Sequence, residues 1–285
     1  VSDVPYHKKA GVTEVLNAIY SMGTKSSNEN DWNNFKEENN LKLNAGFCGY
    51  SIFATAQSSQ DDRKLALEKT KELLYNPNIT QENLNKAKEI IRDSLERRQD
   101  SALSLYYDYE AQTNPYAFSK DEILKSLDSI TTTDVEDCKN YILNNARGVI
   151  TANLPKADKD GCKQDIIDAG MSLDKVKPNK VQTLDLYSKN TKPQVLTKAN
   201  NNSQADIMQV YKFKCNNTLE EAVLGEITNT ILSSSSIGLF DNLREKQHLA
   251  YSVFSNIERE GNLGEVSCNI LTTTDNKDIG EISYD

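Results

Sequence analysis

The 285-residue sequence predicts an α+β fold, in which helices accompany short antiparallel sheets, and three observations support this. Apolar residues recur every three or four positions over residues 9–22, as in a helix with one buried face, and Gly23 is a typical residue to end that helix. Polar and apolar residues alternate over 41–45, as in a strand, and residues 50–57 are predicted to form a second strand after a turn. A similar order of helices and strands returns after residue 193, so we expect two copies of the pattern, the second incomplete.

Further helix signals fill the first half of the chain. The pair Asn76-Pro77 ends one helical pattern because proline cannot continue a helix, and Thr80 is a suitable N-cap for the long polar helix that follows. Two S/T-x-x-E sequences have the form of a capping box. The predicted elements are a helix that carries Trp32 and Phe35, helices over 61–75, 80–101 and 101–112, helices opened by the boxes at 119–122 and 133–136, a turn over 46–49 and a strand over 148–154.

The composition changes after the predicted strand. Residues 155–193 are rich in Lys, Asp and Asn, contain three prolines and have few apolar side chains, which predicts a linker with one short helix over 163–169. Beyond it the sequence predicts a strand over 206–213, a helix from the capping box at 218–221 to about 232, a polar turn over 233–236 and a strand over 264–272. We therefore expect a first domain over 1–154, a linker over 155–193 and the front part of a second domain over 194–285.

Residues 237–255 predict a short helix followed directly by a strand. Arg244 lies on the last turn of that helix, and Tyr251 lies near the start of the strand, on the same predicted face as Val253 and Ser255. Both side chains donate hydrogen bonds, so they can converge on an acceptor such as a peptide carbonyl or a developing oxyanion. The spacing alone favours a plainer interpretation, in which Arg244 complements the dipole of a helix end and Tyr251 is an ordinary strand aromatic.

The overall charge and hydropathy exclude some classes of partner. A net charge of −9 argues against nucleic acid, and no apolar run approaches the roughly 20 residues needed to cross a bilayer. We expect neither nucleic acid nor membrane as a partner. The start shows no signal-peptide pattern and no start methionine, so we expect a piece of a longer protein and leave the location open, with a small preference for the cytoplasm.

The sequence contains no recognisable metal site. The five cysteines include no C-x-x-C pair, so we expect neither a disulfide framework nor a cysteine-rich zinc site. His7 and His248 are the only histidines, and a metallopeptidase helix needs two of them one turn apart. Any zinc that matters to this protein is therefore expected to be bound elsewhere.

Two stretches resemble the pitrilysin/insulinase (inverzincin) metallopeptidases. Residues 11–26 resemble the family's zinc helix, in which a glycine and apolar residues precede an H-x-x-E-H motif and a G-T turn. Residues 239–253 resemble its second-half motif, which runs from leucine-phenylalanine through an R-E-K-like stretch to L-A-Y. The resemblance extends from about residue 9 to the end of the sequence.

The sequence departs from the family at the catalytic metal. By this resemblance the two histidines and the glutamate of the zinc motif fall on Glu14, Ala18 and Asn17, and none of the three is kept. Glu89 lies in the region of the family's third metal ligand, but without the histidines it has no site to join. The resemblance therefore implies a degenerate helix that binds no metal, and no cofactor in this chain.

Members of this family consist of two clam-like halves, each with two similar α+β domains. The resemblance implies that this chain is the non-zinc half, built from metallopeptidase-like α/β sandwich domains. Arg244 and Tyr251 would bind the substrate backbone and stabilise its oxyanion, with zinc in a complementary half or subunit. The implied partners are a peptide substrate and that zinc-bearing half. The alternatives are a catalytically dead scaffold related to processing-peptidase core subunits and a module that binds peptides at an exposed strand edge.

Overall fold

The structure is a computed structural model that describes residues 9–48, 51–98, 100–114, 116–145, 149–154, 158–171, 185–187, 194–199, 203–216 and 218–277. Its helices are α1 (Val12–Ile19), α2 (Glu29–Glu38), α3 (Arg63–Tyr75), α4 (Gln81–Arg97), α5 (Ala102–Thr113), α6 (Lys120–Leu127), α7 (Thr132–Asn145), α8 (Lys159–Asp168), α9 (Leu219–Ser233) and a π-helix (Asp241–Lys246). Its strands are β1 (Lys42–Cys48), β2 (Ser51–Gln57), β3 (Gln204–Lys214), β4 (Ala250–Glu260) and β5 (Leu263–Thr273). Both sheets are antiparallel, which confirms the predicted α+β class.

The chain divides into two compact units. Unit 1 comprises the residues up to Arg98 together with Tyr116–Gln182, and unit 2 comprises Gln99–Pro115 together with Thr183–Asp285. Helix α5 therefore belongs to unit 2, although helices of unit 1 precede and follow it in the sequence. The domain bounds expected from the sequence stay predictions.

Helix α1 forms the centre of unit 1. Its apolar stripe is fully buried, as predicted, and packs against α4, α7 and β1. Helix α3 covers the two-stranded sheet of β1 and β2, whose register pairs Lys42 with Gln57. After α1 the chain turns at Gly23, where φ is +87° and an added Cβ would lie 2.3 Å from the carbonyl oxygen of Ser27. Only glycine fits there, in agreement with the predicted glycine stop.

Two predictions about unit 1 were wrong in detail. The expected turn over 46–49 is strand as far as Cys48, because Gly46 pairs with Phe53 of β2. The absence of a side chain at Gly46 allows α1 to lie close to β1. The expected capping box of Thr133 and Glu136 is formed two residues earlier. The Oγ1 of Thr131 accepts from the backbone N of Asp134, and the Asp134 carboxylate accepts from the backbone N of Thr131. Three consecutive threonines make the sequence signal ambiguous there, and Glu136 instead pairs with lysines.

The strand expected over 148–154 is also wrong in its described part. Residues 149–154 have no regular secondary structure, and Val149 is 73% exposed. Its β-branched residues gave a strand signal, but no described strand pairs with them. The short helix expected in the linker is confirmed as α8, which begins four residues earlier than predicted. Arg63 of α3 pairs with Asp158 and Asp165 and so holds α8 against α3 within unit 1.

Unit 2 contains a three-stranded antiparallel sheet in the order β3-β5-β4. Helix α5 packs against β3, and α9 packs against β4. The capping box at the start of α9 is confirmed, since Thr218 and Glu221 exchange hydrogen bonds with each other's backbone N–H groups. Helix α9 also carries aliphatic side chains that are half-exposed or more: Leu219, Val223, Leu224, Ile227 and Ile231.

Within the described ranges, no helix combines the length and the apolar character needed to span a membrane.

Candidate functional site

The π-helix and β4 meet at a corner on one face of the unit 2 sheet. Leu243 is completely buried there and packs with Val253 of β4 and Ile270 of β5. The backbone N of Leu249 donates to the carbonyl oxygen of Leu243 at 2.8 Å, which closes the turn between helix and strand. The apolar anchor at Leu243 thus fixes the position of the next residue, Arg244, at the exposed side of the corner.

Arg244 is held from two sides. Its Nη1 donates to the backbone carbonyl oxygen of Tyr251 at 2.5 Å, and its guanidinium carbon lies 5.1 Å from the ring centroid of Phe240. Its Nε lies 3.6 Å from a carboxylate oxygen of Glu245. The bond to Tyr251 uses one of the five guanidinium N–H groups, and no other described residue forms a hydrogen bond with them. Since the side chain is 46% exposed, the remaining donors can be reached by a ligand.

Tyr251 is the extra residue of a β-bulge in β4. Ala250 pairs with Thr272 and Ser252 pairs with Leu271, so Tyr251 has no partner residue on β5. A bulge takes a residue out of the strict alternation of a strand and re-aims its side chain. Tyr251 is accordingly 67% exposed, and no described residue forms a hydrogen bond with its hydroxyl group.

Arg244 and Tyr251 line one open pocket of about 380 Å³, together with Glu245, His248 and Ala250. The structure therefore brings the two predicted site residues together, with a backbone carbonyl between them. The role that the sequence suggested for them stays a prediction. His248 has a left-handed backbone, with a φ of 56°, and its place in the pocket wall had no sequence signal because it depends on that conformation.

The small-residue turn before this motif, which includes Ser233 and Gly238, has its own structural contacts. In the structure Ser233 bonds to Ser255 of β4, and the backbone N of Gly238 donates to the carbonyl oxygen of Ser234. These contacts give the turn a packing role, and neither Ser233 nor Gly238 lines the pocket.

The positions of the degenerate zinc motif have structural partners. The Oδ1 of Asn17 accepts from the backbone N of Phe47 at 3.0 Å and so joins α1 to β1, while Glu14 accepts from Thr13 at 2.8 Å. Ala18 has no ligating atom and packs against the core of unit 1. Glu89 is exposed on α4. These residues do not fit a zinc ion, and across the described part of the chain no group of three His, Cys, Asp or Glu side chains could hold a metal.

The buried thiol nearest to this helix is not activated. Burial, and secondarily the charge of Glu14, raises the pKa of Cys138 to about 12, so the thiol stays protonated at neutral pH.

Solved structures of proteases share this α+β fold. The chain is similar to the peptidase M16 inactive domain from Pseudomonas fluorescens, with 20% identity, a TM-score of 0.68, and coverage of 93% of this chain and 65% of that one. A protease from Helicobacter pylori has 13% identity and a TM-score of 0.72, with coverage of 95% of this chain and 68% of that one. The periplasmic protease PqqL from Escherichia coli has 11% identity and a TM-score of 0.65, with coverage of 99% of this chain and 32% of that one. At these identities the likeness shows the fold, and this chain spans only part of each relative.

Two family models match the sequence. The model described as insulinase (peptidase family M16) matches residues 6–114, and the model described as the peptidase M16 inactive domain matches residues 139–283, more than half of the chain. The chain therefore belongs to the M16 family, which includes insulinase and pitrilysin. No curated protein matched the sequence.

Proposed function

We propose that this chain is the non-zinc half of an M16 peptidase and presents hydrogen-bond donors to a peptide bound against the zinc site of another half or subunit. One observation carries the proposal. The guanidinium of Arg244 and the hydroxyl of Tyr251 flank an open pocket, and both retain donors that no described residue uses. An acceptor in that pocket, such as a peptide carbonyl, would be the complementary ligand.

The chemistry of these donors suits a developing oxyanion. A guanidinium remains charged throughout the accessible pH range, and its rigid fork loses little freedom when it binds. A fixed donor stabilises charge that appears in the transition state because it needs no reorganisation at that moment. Arg244 and Tyr251 would therefore bind the substrate backbone first and then bind the oxyanion more tightly.

Zinc belongs to the complementary half in this proposal, and no step at the metal is assigned to this chain. Asn17 and Ala18 occupy positions where the family has ligating or catalytic residues, and Asn17 is engaged with β1. The partners are then a peptide substrate and the zinc-bearing half. That half is either another part of the same polypeptide or a separate subunit.

A related proposal concerns the domain organisation. We propose that residues 194–285 are the front part of a second peptidase-like domain, after a first domain over 1–154. The exposed aliphatic row of α9 supports this, because further residues of such a domain would cover it. A longer form of the protein should protect Ile227 and Ile231 from solvent, whereas unchanged exposure of both would contradict an incomplete second domain.

The proposed function is tested by reconstitution with the half that carries H-x-x-E-H. We expect that neither partner alone hydrolyses a peptide efficiently and that the two together do, with zinc in the H-x-x-E-H half only. Full turnover by that half without this chain would overturn the proposal. Tight association without any hydrolysis would instead support the scaffold alternative.

A further inference from the structure

The least expected contact at the corner is that of Arg244 with an aromatic ring. Phe240 precedes the π-helix by one residue and lies four positions before Arg244, so the two side chains share one side of the helix. The guanidinium carbon lies 5.1 Å from the ring centroid. Phe240 itself is partly buried against the cluster of Leu243, Val253 and Ile270, so its ring is a fixed surface.

Arg244 also has a competing partner. The Glu245 carboxylate lies 3.6 Å from Nε, too far for a hydrogen bond but close enough for attraction. Both side chains are about half exposed, and a small rotation of the guanidinium would allow a bidentate pair with Glu245. Such a pair would occupy the fork of donors that the pocket otherwise offers.

The ring and the Tyr251 carbonyl together oppose that rotation. A cation is attracted to the face of an aromatic ring, and the bond from Nη1 to the Tyr251 oxygen fixes the guanidinium at a second point. With both contacts in place, Arg244 keeps an orientation in which Glu245 remains a neighbour and does not become a bidentate partner.

We propose that Phe240 is a positioning residue that keeps the Arg244 guanidinium available to the pocket and away from Glu245. This inference rests on the proposed function for its catalytic consequence, but the positioning itself is a property of this chain alone. Phe240 touches no substrate in this account and acts through Arg244.

The positioning is tested by NMR on the chain with labelled arginine side chains. In the wild type, the bond to the Tyr251 carbonyl should slow rotation of the guanidinium, so that the Arg244 Nη resonances are separate. Phe240→Leu should average them, while Phe240→Trp should keep them separate. Leucine preserves an apolar contact with the cluster, and unchanged hydrogen-exchange protection of Val253 and Ile270 would show that the corner still folds. An Arg244 resonance that is the same in wild type and Phe240→Leu would overturn the inference.

The consequence for activity is tested in the reconstituted peptidase. Phe240→Leu should lower kcat/KM about two- to fivefold, the factor expected for loss of a cation–π contact at an exposed site. Adding Glu245→Gln should restore most of that loss, which a merely structural defect would not do. Loss without rescue would overturn the competition with Glu245. Averaged Arg244 Nη resonances in Phe240→Leu, with unchanged hydrolysis in both Phe240→Leu and Arg244→Ala, would refute the proposed function and leave the positioning intact.

Discussion

The Arg244 side chain donates from Nη1 to the backbone carbonyl oxygen of Tyr251, so the link between the two residues does not involve the tyrosine ring. The π-helix and β4 are thereby joined by a hydrogen bond whose acceptor is a backbone carbonyl, so any residue at position 251 could supply it. The Tyr251 hydroxyl, in contrast, remains available to a ligand in the pocket that Tyr251 lines. The two residues can consequently be altered independently.

Tyr251→Phe should lower peptide hydrolysis by the reconstituted enzyme without disturbing Arg244. The substitution removes one donor from the pocket, and loss of an oxyanion donor costs on the order of 10²–10³ in kcat. The carbonyl bond persists, so the melting temperature should stay within about 1 °C of the wild type, since an exposed hydroxyl contributes little to stability. Steady-state kinetics and thermal unfolding provide the measurement. Tyr75→Phe, at a similarly exposed tyrosine of α3, is the control and should leave hydrolysis unchanged.

Asn17→Ala should destabilise unit 1 by about 1 kcal/mol, because the backbone N–H of Phe47 loses its acceptor. Gly46→Ala should act on the same contact, since an added Cβ would lie 2.6 Å from the Asn17 oxygen. Urea unfolding followed by Trp32 fluorescence, which reports on unit 1, measures both. The control is Asn34→Ala on the exposed side of α2. A wild-type midpoint for Asn17→Ala would show that the residue has no structural role.

Acid should weaken unit 1 through Glu72. Burial alone would raise the pKa of this carboxyl, but hydrogen bonds from Lys69, Ser26 and Thr24 outweigh it and hold the pKa below its usual 4.5. A carboxylate with a lowered pKa stabilises the fold above its unfolded pKa, and this contribution is lost as the pH falls through the folded pKa.

The stability difference between wild type and Glu72→Gln should therefore be largest near pH 7 and should shrink below pH 4.5. Urea midpoints across pH 3–7 provide the measurement. Glu68→Gln, at an exposed position of the same helix, should keep the wild-type dependence on pH. A constant difference across the range would contradict the role of Glu72.

Lys212→Met should loosen α5 from the unit 2 sheet. The Lys212 ammonium pairs with Glu110 of α5 and lies 3.3 Å from Glu265 of β5, and both carboxylates are less than 20% exposed. Its removal leaves two poorly solvated negative charges together, at a cost of about 2 kcal/mol. Hydrogen exchange should accelerate over α5 first. Lys214→Met, at an exposed site on the same strand, is the control, and equal protection of α5 in both variants would contradict the prediction.

The neighbouring Tyr106 shows why this region is sensitive to charge. Burial, and then the hydrogen bond to Glu265, raises the pKa of the Tyr106 hydroxyl well above its usual value, so the hydroxyl stays protonated and donates to Glu265 at neutral pH. With Lys212 present, Glu265 has both a cation and a hydroxyl as partners.

The sequence was informative where one local pattern decided the structure. The apolar period of α1, the glycine stop at Gly23 and the capping box of α9 each depend on neighbours within a few residues, and all three are confirmed. The family resemblance was equally visible because its motifs are local.

Other features depend on contacts distant in sequence and left no such signal. Alternation placed Tyr251 with Val253 and Ser255, which are buried, whereas the bulge turns Tyr251 out toward solvent. Helix α5 likewise has partners, Lys212 and Glu265, that lie about a hundred or more residues later in the sequence. Bulges and long-range ion pairs are set by tertiary packing, which local periodicity does not encode.

The central claim is that Arg244 donates hydrogen bonds to a peptide bound in an assembled M16 peptidase. The most direct measurement is kcat/KM for Arg244→Ala in the assembly reconstituted with the zinc-bearing half. The matched control is Arg97→Ala, an exposed arginine of α4 whose only described partner is the exposed Asp93. We predict a loss on the order of 10²–10³ for Arg244→Ala, wild-type turnover for Arg97→Ala, and unchanged zinc content in both. Equal kcat/KM for Arg244→Ala and the wild type would contradict the account.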